Sequence, residues 1–103
     1  MVTRDEILNM PAGQETDDLI SLYVLGEDIT PRGYAIPPYS TNIAAAWEVV
    51  GKYYSMTLEK FSDGEEWRCY LVTEREGKNH DVIGGGETAP LAICRAALIS
   101  SMF

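Results

Sequence analysis

The chain has 103 residues, 46% of them hydrophobic, which is enough for one domain with a real core and too little for two. Its 8 Lys and Arg stand against 16 Asp and Glu, a formal charge of -8, so the mean surface field repels phosphates and favours basic partners. No stretch has the roughly 18 apolar residues of a bilayer span and no basic segment leads into an apolar run, so the expectation is a soluble, intracellular protein without a signal peptide.

Thr3 followed by Glu6 has the spacing of a capping box, which predicts a short helix that ends before Pro11. After Gly13, Thr16, Leu19, Ile20, Tyr23 and Val24 recur at helical spacing, while Glu15, Asp17 and Asp18 sit where the helix dipole favours negative charge. A second helix should therefore run to Gly26. Asp17 and Asp18 invite a reading as a catalytic pair, but adjacent side chains on a helix diverge, and capping explains them better.

Gly26 to Ser40 holds Pro31, Gly33, Pro37 and Pro38 and reads as an extended connection, with Tyr34 and Tyr39 available to dock on the body. Ser40 or Thr41 should cap a third helix, in which Ile43, Ala46, Trp47, Val50 and Tyr54 share one face. On that stripe Trp47 is expected to anchor the core, with an exposed, partner-binding tryptophan as the sharper alternative.

From Ser55 the period becomes two. Met56 and Leu58 alternate with Thr57 and Glu59, Ser62-Asp63-Gly64 makes a turn, and Trp67, Cys69 and Leu71 alternate with Arg68, Tyr70 and Val72. A second turn over Arg75 to Asn79 leads to a third strand around His80 to Ile83, and Gly84, Gly85 and Gly86 connect it to a last helix capped by Thr88, with Pro90 in its first turn.

From Ala89 to Phe103 only Arg95 is charged. Leu91, Cys94, Leu98 and Met102 form one stripe, but Ile93, Ala96, Ala97 and Ile99 lie elsewhere around the helix, which needs cover on two faces. Either the amino-terminal helices supply it or a second copy of the chain does, through Ile93, Ala96, Ala97 and Ile99. The expected fold is α+β: a three-stranded antiparallel sheet with helices packed on it in the order α-α-α-β-β-β-α. One domain is expected over residues 1–103, with helices over 1–25, a connection over 26–40 and an α-β-β-β-α core over 41–103.

Little in the chain carries chemistry. Cys69 and Cys94 are flanked by apolar residues and read as buried thiols, and with the single His80 they are too few for a zinc site. Asp63, Gly64, Glu65 and Glu66 resemble a fragment of a calcium loop without its spacing, so an acidic turn suffices. His80 has no nucleophile or acid at motif spacing, and GGGETAP lacks both the Walker lysine and the dinucleotide glycine pattern. The expectation is a protein that is not an enzyme and uses no cofactor or metal.

The run from Ser40 to Phe103 resembles a double-stranded-RNA-binding domain in its element order. That family holds phosphates with lysines at the start of its last helix, where this chain has Glu87, Thr88, Ala89, Pro90 and Leu91, so the likeness implies shared architecture and makes a degenerate RNA binder the weakest functional alternative.

A second resemblance covers most of the chain. TRDEILNMPAGQETDDLI, PPYSTNIAAAWEVV and ETAPLAICRAALI look, in order and spacing, like the phage α-β-α (ABA) sandwich domain family, small proteins of phages and prophages. The family's segment after the second helix is often longer and aromatic-rich, whereas Gly26 to Tyr39 is short here. The resemblance implies a setting in the host cytoplasm and supplies no catalytic residues.

The expected function is that of a phage accessory protein that binds a host or phage protein with a basic surface, inhibiting a nucleic-acid-handling defence enzyme in the manner of an anti-CRISPR, with no direct contact to nucleic acid or membrane. The candidate contacts are Glu59, Asp63, Glu65 and Glu66 on the first hairpin and Glu74, Glu76 and Asp81 on the next turn and strand. A solvated face that keeps the sheet soluble is the plain alternative for each of them. The structural alternative is a homodimeric or larger virion or regulatory component paired through the last helix.

Overall fold

A computed structural model describes residues 3–27, 35–61, 66–75 and 77–102. The elements run α1 (Arg4–Asn9), α2 (Gln14–Leu19) with a π-helical continuation (Ile20–Val24), α3 (Ile43–Val50), β1 (Ser55–Phe61), β2 (Glu66–Arg75), β3 (Lys78–Gly86) and α4 (Ala89–Ser100). The architecture is α+β, as the alternation of periods predicts. The three strands form an antiparallel sheet in the order β1-β2-β3.

Local signals account for most of the element ends. Thr3 Oγ1 accepts the Glu6 amide at 3.2 Å, and Thr88 Oγ1 accepts the Leu91 amide at 3.3 Å with Pro90 in the first turn of α4. Asn42, rather than Ser40 or Thr41, caps α3, its Oδ1 accepting the Ala45 amide at 3.1 Å. At the β2–β3 turn Gly77 has φ +78, a conformation that side chains resist.

The third strand is longer than its sequence suggests. Gly84, Gly85 and Gly86 belong to β3, opposite Cys69, Arg68 and Trp67, and none of them has a positive φ. For Gly84 and Gly86 the role is close approach to α4, whereas Gly85 faces the Glu66 side chain. A Cβ built on Gly84 would run into the Ala96 amide nitrogen, with the Ala96 Cα at 2.7 Å and the Ala92 carbonyl oxygen at 2.9 Å, so α4 lies directly on this strand.

Register assigns the two sheet faces. Cys69 stands opposite Leu58 and Gly84, Leu71 opposite Met56 and Val82, and these residues, with Trp67 and Gly86, make the inner face. Cys69, Leu71 and Val82 are buried there under α4, which is the one described helix that packs extensively on the sheet, over β2 and β3. The remaining helical elements, α1, the π-helical turn and α3, pack on the far side of α4.

α4 is thus a middle layer. From Pro90 to Ser100 every residue but Arg95 is buried, and Ile93, Ala96 and Ala97 are 0% exposed with Ile99 at 1%. The cover comes from within the chain, so Ile93, Ala96, Ala97 and Ile99 are core and cannot form the oligomer face that the sequence allowed. Arg95, at the edge, clamps two layers: Nε and Nη2 donate to the Met10 carbonyl at 3.1 and 2.7 Å, and Nη1 donates to the Gly85 carbonyl at 2.8 Å.

Two helix faces turn out differently from the periodic reading. On α3 the buried residues are Ala46 and Val49, while Trp47 is 55% exposed, which corrects its expected place in the core. After Leu19 the helix widens to π geometry, so Ile20 and Ser21 are buried and Tyr23 stands 63% exposed. The Ser62-Asp63-Gly64 turn, Tyr34 and Phe103 lie outside the described residues.

Candidate functional site

Among the described residues two places hold polar side chains in an organised way: a buried cluster at the start of α2 and the outer face of the sheet. The buried cluster explains Asp17. Its Oδ1 accepts the Ser40 amide at 2.8 Å and the Ser40 hydroxyl at 2.7 Å, and the Ser40 hydroxyl also accepts the Gly13 amide at 2.9 Å.

Thr16 Oγ1 donates to the Pro11 carbonyl at 2.7 Å, and Thr16 and Ser40 are both fully buried. Asp17 lies in the first turn of α2, as its sequence position predicts, and is also a latch that fastens the chain near residue 40 to the start of that helix. Beside it Tyr39 is buried, and burial pushes its phenol above the ordinary range, while the Ser21 hydroxyl, facing it too loosely to count as a hydrogen bond, pulls the other way. Asp17 Oδ1 and the Ser40 hydroxyl are engaged within the chain and hold the fold together, while Asp18 Oδ1 and Ser21 Oγ are buried with no hydrogen-bond partner among the described residues.

The thiols are inert for a related reason. Cys69 on the inner sheet face and Cys94 on α4 are both free and 0% exposed, and burial pushes the Cys69 thiol up to about 12 and Cys94 well above its usual range. A thiol whose folded pKa is raised stabilises the fold fully below its unfolded value of about 8.5 and loses that contribution as pH climbs toward the folded value. A thiol-reactive probe at pH 8 should therefore label neither cysteine until denaturant unfolds the chain, and stability should decline above pH 9. Fast labelling of either cysteine under native conditions contradicts this burial.

The outer face carries the acidic candidates. Strand alternation and register put Glu59 on β1, Glu66 and Glu74 on β2 and Asp81 on β3 on the side of the sheet away from α4, and all four are exposed. They fall into two groups. At one end Arg68 stands opposite Glu59 and 4.0 Å from Glu66, with its guanidinium 4.4 Å from the Phe61 ring centroid.

At the other end Glu74 stands opposite Asn79 and Asp81 opposite Val72, which makes the two carboxylates diagonal neighbours. Between the ends, Tyr70 pairs with Ile83 and is followed on the same face by Val72. Asp63, Glu65 and Glu76 lie outside the described residues. Arg68 and Phe61 match no motif, and only the strand register reveals that they share a face with Glu59 and Glu66.

Glu87 is exposed before α4 with no lysine beside it, and His80 is exposed on β3. Among the described residues no three His, Cys, Asp or Glu side chains are grouped to hold a metal ion, and no helix is long and apolar enough to cross a membrane.

A second surface is apolar. Ile43 and Trp47 on α3 are 48% and 55% exposed, and Tyr54, just before β1, is 72% exposed.

Comparison with known proteins gives one match. The family model for the phage ABA sandwich domain matches residues 20–98, which takes in the π-helical turn, α3, the sheet and nearly all of α4 and leaves α1 and α2 ahead of the matched span. Neither the curated proteins nor the solved structures contain a significant match.

Proposed function

The chain belongs to the phage ABA sandwich domain family, a small phage protein, and on that premise we propose that it acts by binding another protein through the acidic outer face of its sheet. The observation that carries this reading is the convergence of Glu59, Glu66, Glu74 and Asp81, from three strands, on the sheet face that α4 leaves uncovered. Against those four carboxylates the described part of the face offers one cation, Arg68, already engaged by Glu66 and Phe61. Such a surface draws a basic partner and speeds its encounter.

A basic groove that handles nucleic acid is a natural target for such a surface, and occupying it would inhibit a host defence enzyme. The acidic field and Glu87 at the start of α4 both disfavour direct nucleic-acid binding by this chain. An assembly role as a virion or regulatory component remains the second reading, supported by the exposed Ile43, Trp47 and Tyr54 rather than by α4.

Reversing Glu59, Glu66, Glu74 and Asp81 to lysine tests the proposal. The four side chains are exposed, so the variant should keep its fold, with each change within about 0.5 kcal/mol of neutral. Affinity capture from infected host lysate at moderate salt should retain a basic nucleic-acid-handling protein on the native chain and lose it on the variant. Retention of the same proteins by both would remove the outer face from the account.

A further inference from the structure

The outer face has a pattern finer than its charge. Tyr70, Val72 and Ile83 form an apolar centre, with Ile83 48% exposed, and carboxylates stand beyond it at both ends: Glu59 and Glu66 on one side, where Arg68 sits between them against Phe61 and leaves one net negative charge, and Glu74 and Asp81 on the other. Glu66 and Glu74 are eight residues apart on one strand, a span of about 26 Å, which equals the length of a helix of about 18 residues. From these features, and building on the protein-binding reading above, we infer that this face docks one amphipathic helix of a partner protein, apolar along its contact stripe and basic at both ends.

The argument runs from shape and charge together. A flat sheet face buries an apolar stripe against a helix or against another sheet, and the inner face of this same sheet is covered by a helix, α4. A second copy of this chain would bring four carboxylates and one engaged arginine against the same set, so self-pairing of the outer faces is opposed electrostatically. Nucleic acid is opposed by the same charges. Lysine or arginine at the two ends of an apolar helix meets Glu59 with Glu66 and Glu74 with Asp81 while its centre covers Tyr70, Val72 and Ile83, so the pattern sets both the position and the register of the helix.

The test uses isotope-labelled full-length chain and three synthetic 18-residue peptides. The first has leucines at helical spacing with lysines at both ends. The second has the same composition with the leucines redistributed around the helix, and the third carries glutamates in place of the lysines. The first should shift the amide signals of Tyr70, Val72 and Ile83 and bind at least about tenfold more tightly than the second, and the third should not bind.

A Tyr70→Thr/Ile83→Thr variant, unchanged in charge, should lose about tenfold in affinity for the first peptide. Thermal melts establish that the variant is folded, and Ile83→Thr alone, at an exposed site, serves if the double variant is not. If the first two peptides bind alike and only lysine reversal of the carboxylates weakens them, helix docking is overturned while the basic-partner reading stands. If neither basic peptide binds, both fall. Concentration-dependent shifts at Tyr70 and Ile83 without peptide would identify a second copy as the occupant and overturn the inference.

Discussion

Gly84→Ala should lower the stability of the fold by about 3 kcal/mol, a large fraction of the 5–15 kcal/mol typical of a domain this size. The added methyl meets the backbone of α4 at Ala96 and Ala92, and backbone cannot rotate aside as a side chain can. Either the helix lifts from β3 or the strand bends, and in both cases contacts with Cys69, Leu71 and Val82 loosen.

The neighbouring glycines provide internal controls. At Gly86 a Cβ would lie 3.0 Å from the Ala92 amide nitrogen and 3.1 Å from the Leu91 side chain, which can yield in part, so Gly86→Ala should cost about 1–2 kcal/mol. At Gly85 the nearest atom is the Glu66 carboxylate at 2.7 Å, the mobile end of an exposed side chain, so Gly85→Ala should fall within about 0.5 kcal/mol of neutral. Denaturant titration of the three variants checks the order. Equal losses at all three would mean that the glycines serve strand flexibility and not the approach of α4.

Asp17→Ala should cost about 3 kcal/mol, because it removes the carboxyl acceptor and leaves the buried Ser40 amide and hydroxyl without it. Asp17→Asn keeps an acceptor in the same place and should cost about 1 kcal/mol, which separates the hydrogen bonds from the charge. Ser40→Ala should cost about 2 kcal/mol by leaving the carboxylate underserved, and the double variant should cost clearly less than the sum of the two. Additive losses would show that Asp17 and Ser40 act independently. The latch joins residues 23 positions apart and holds the chain around residue 40 against α2, so its loss should also loosen Tyr39.

What the sequence made legible follows from which signals are local. Thr3, Thr88 and Pro90 mark helix starts because a cap needs only a hydroxyl and an amide three residues apart. The hairpin strands declare themselves by their period, and the charge-poor stretch after Ala89 already demanded cover on two faces. The non-local features had no such signature. α3 carries small and large apolar residues around a wide arc, so spacing alone could not tell that Ala46 and Val49 face inward and Trp47 outward.

The π widening after Leu19 shifts the buried face without any diagnostic residue, and the Asp17–Ser40 pair is invisible until the fold brings it together. The three glycines looked like a connection because glycine is disfavoured in strands, and only the closeness of α4 explains why β3 uses Gly84 and Gly86. For the candidate site, the acidic residues were visible as a composition, while their division into two ends around Tyr70, Val72 and Ile83 required the register.

The enclosure of α4 within one chain is the claim on which the rest depends, since it removes the last helix as a dimer face and turns the proposal of a partner to the outer sheet face. Isotope-filtered nuclear Overhauser spectra on an equal mixture of labelled and unlabelled chain test it most directly. Contacts from the side-chain methyl groups of α4 to those of Ile7 on α1 and Ile20 on the π-helical turn should appear only within a chain. Their appearance between labelled and unlabelled chains would contradict the account and return α4 to the surface of an oligomer.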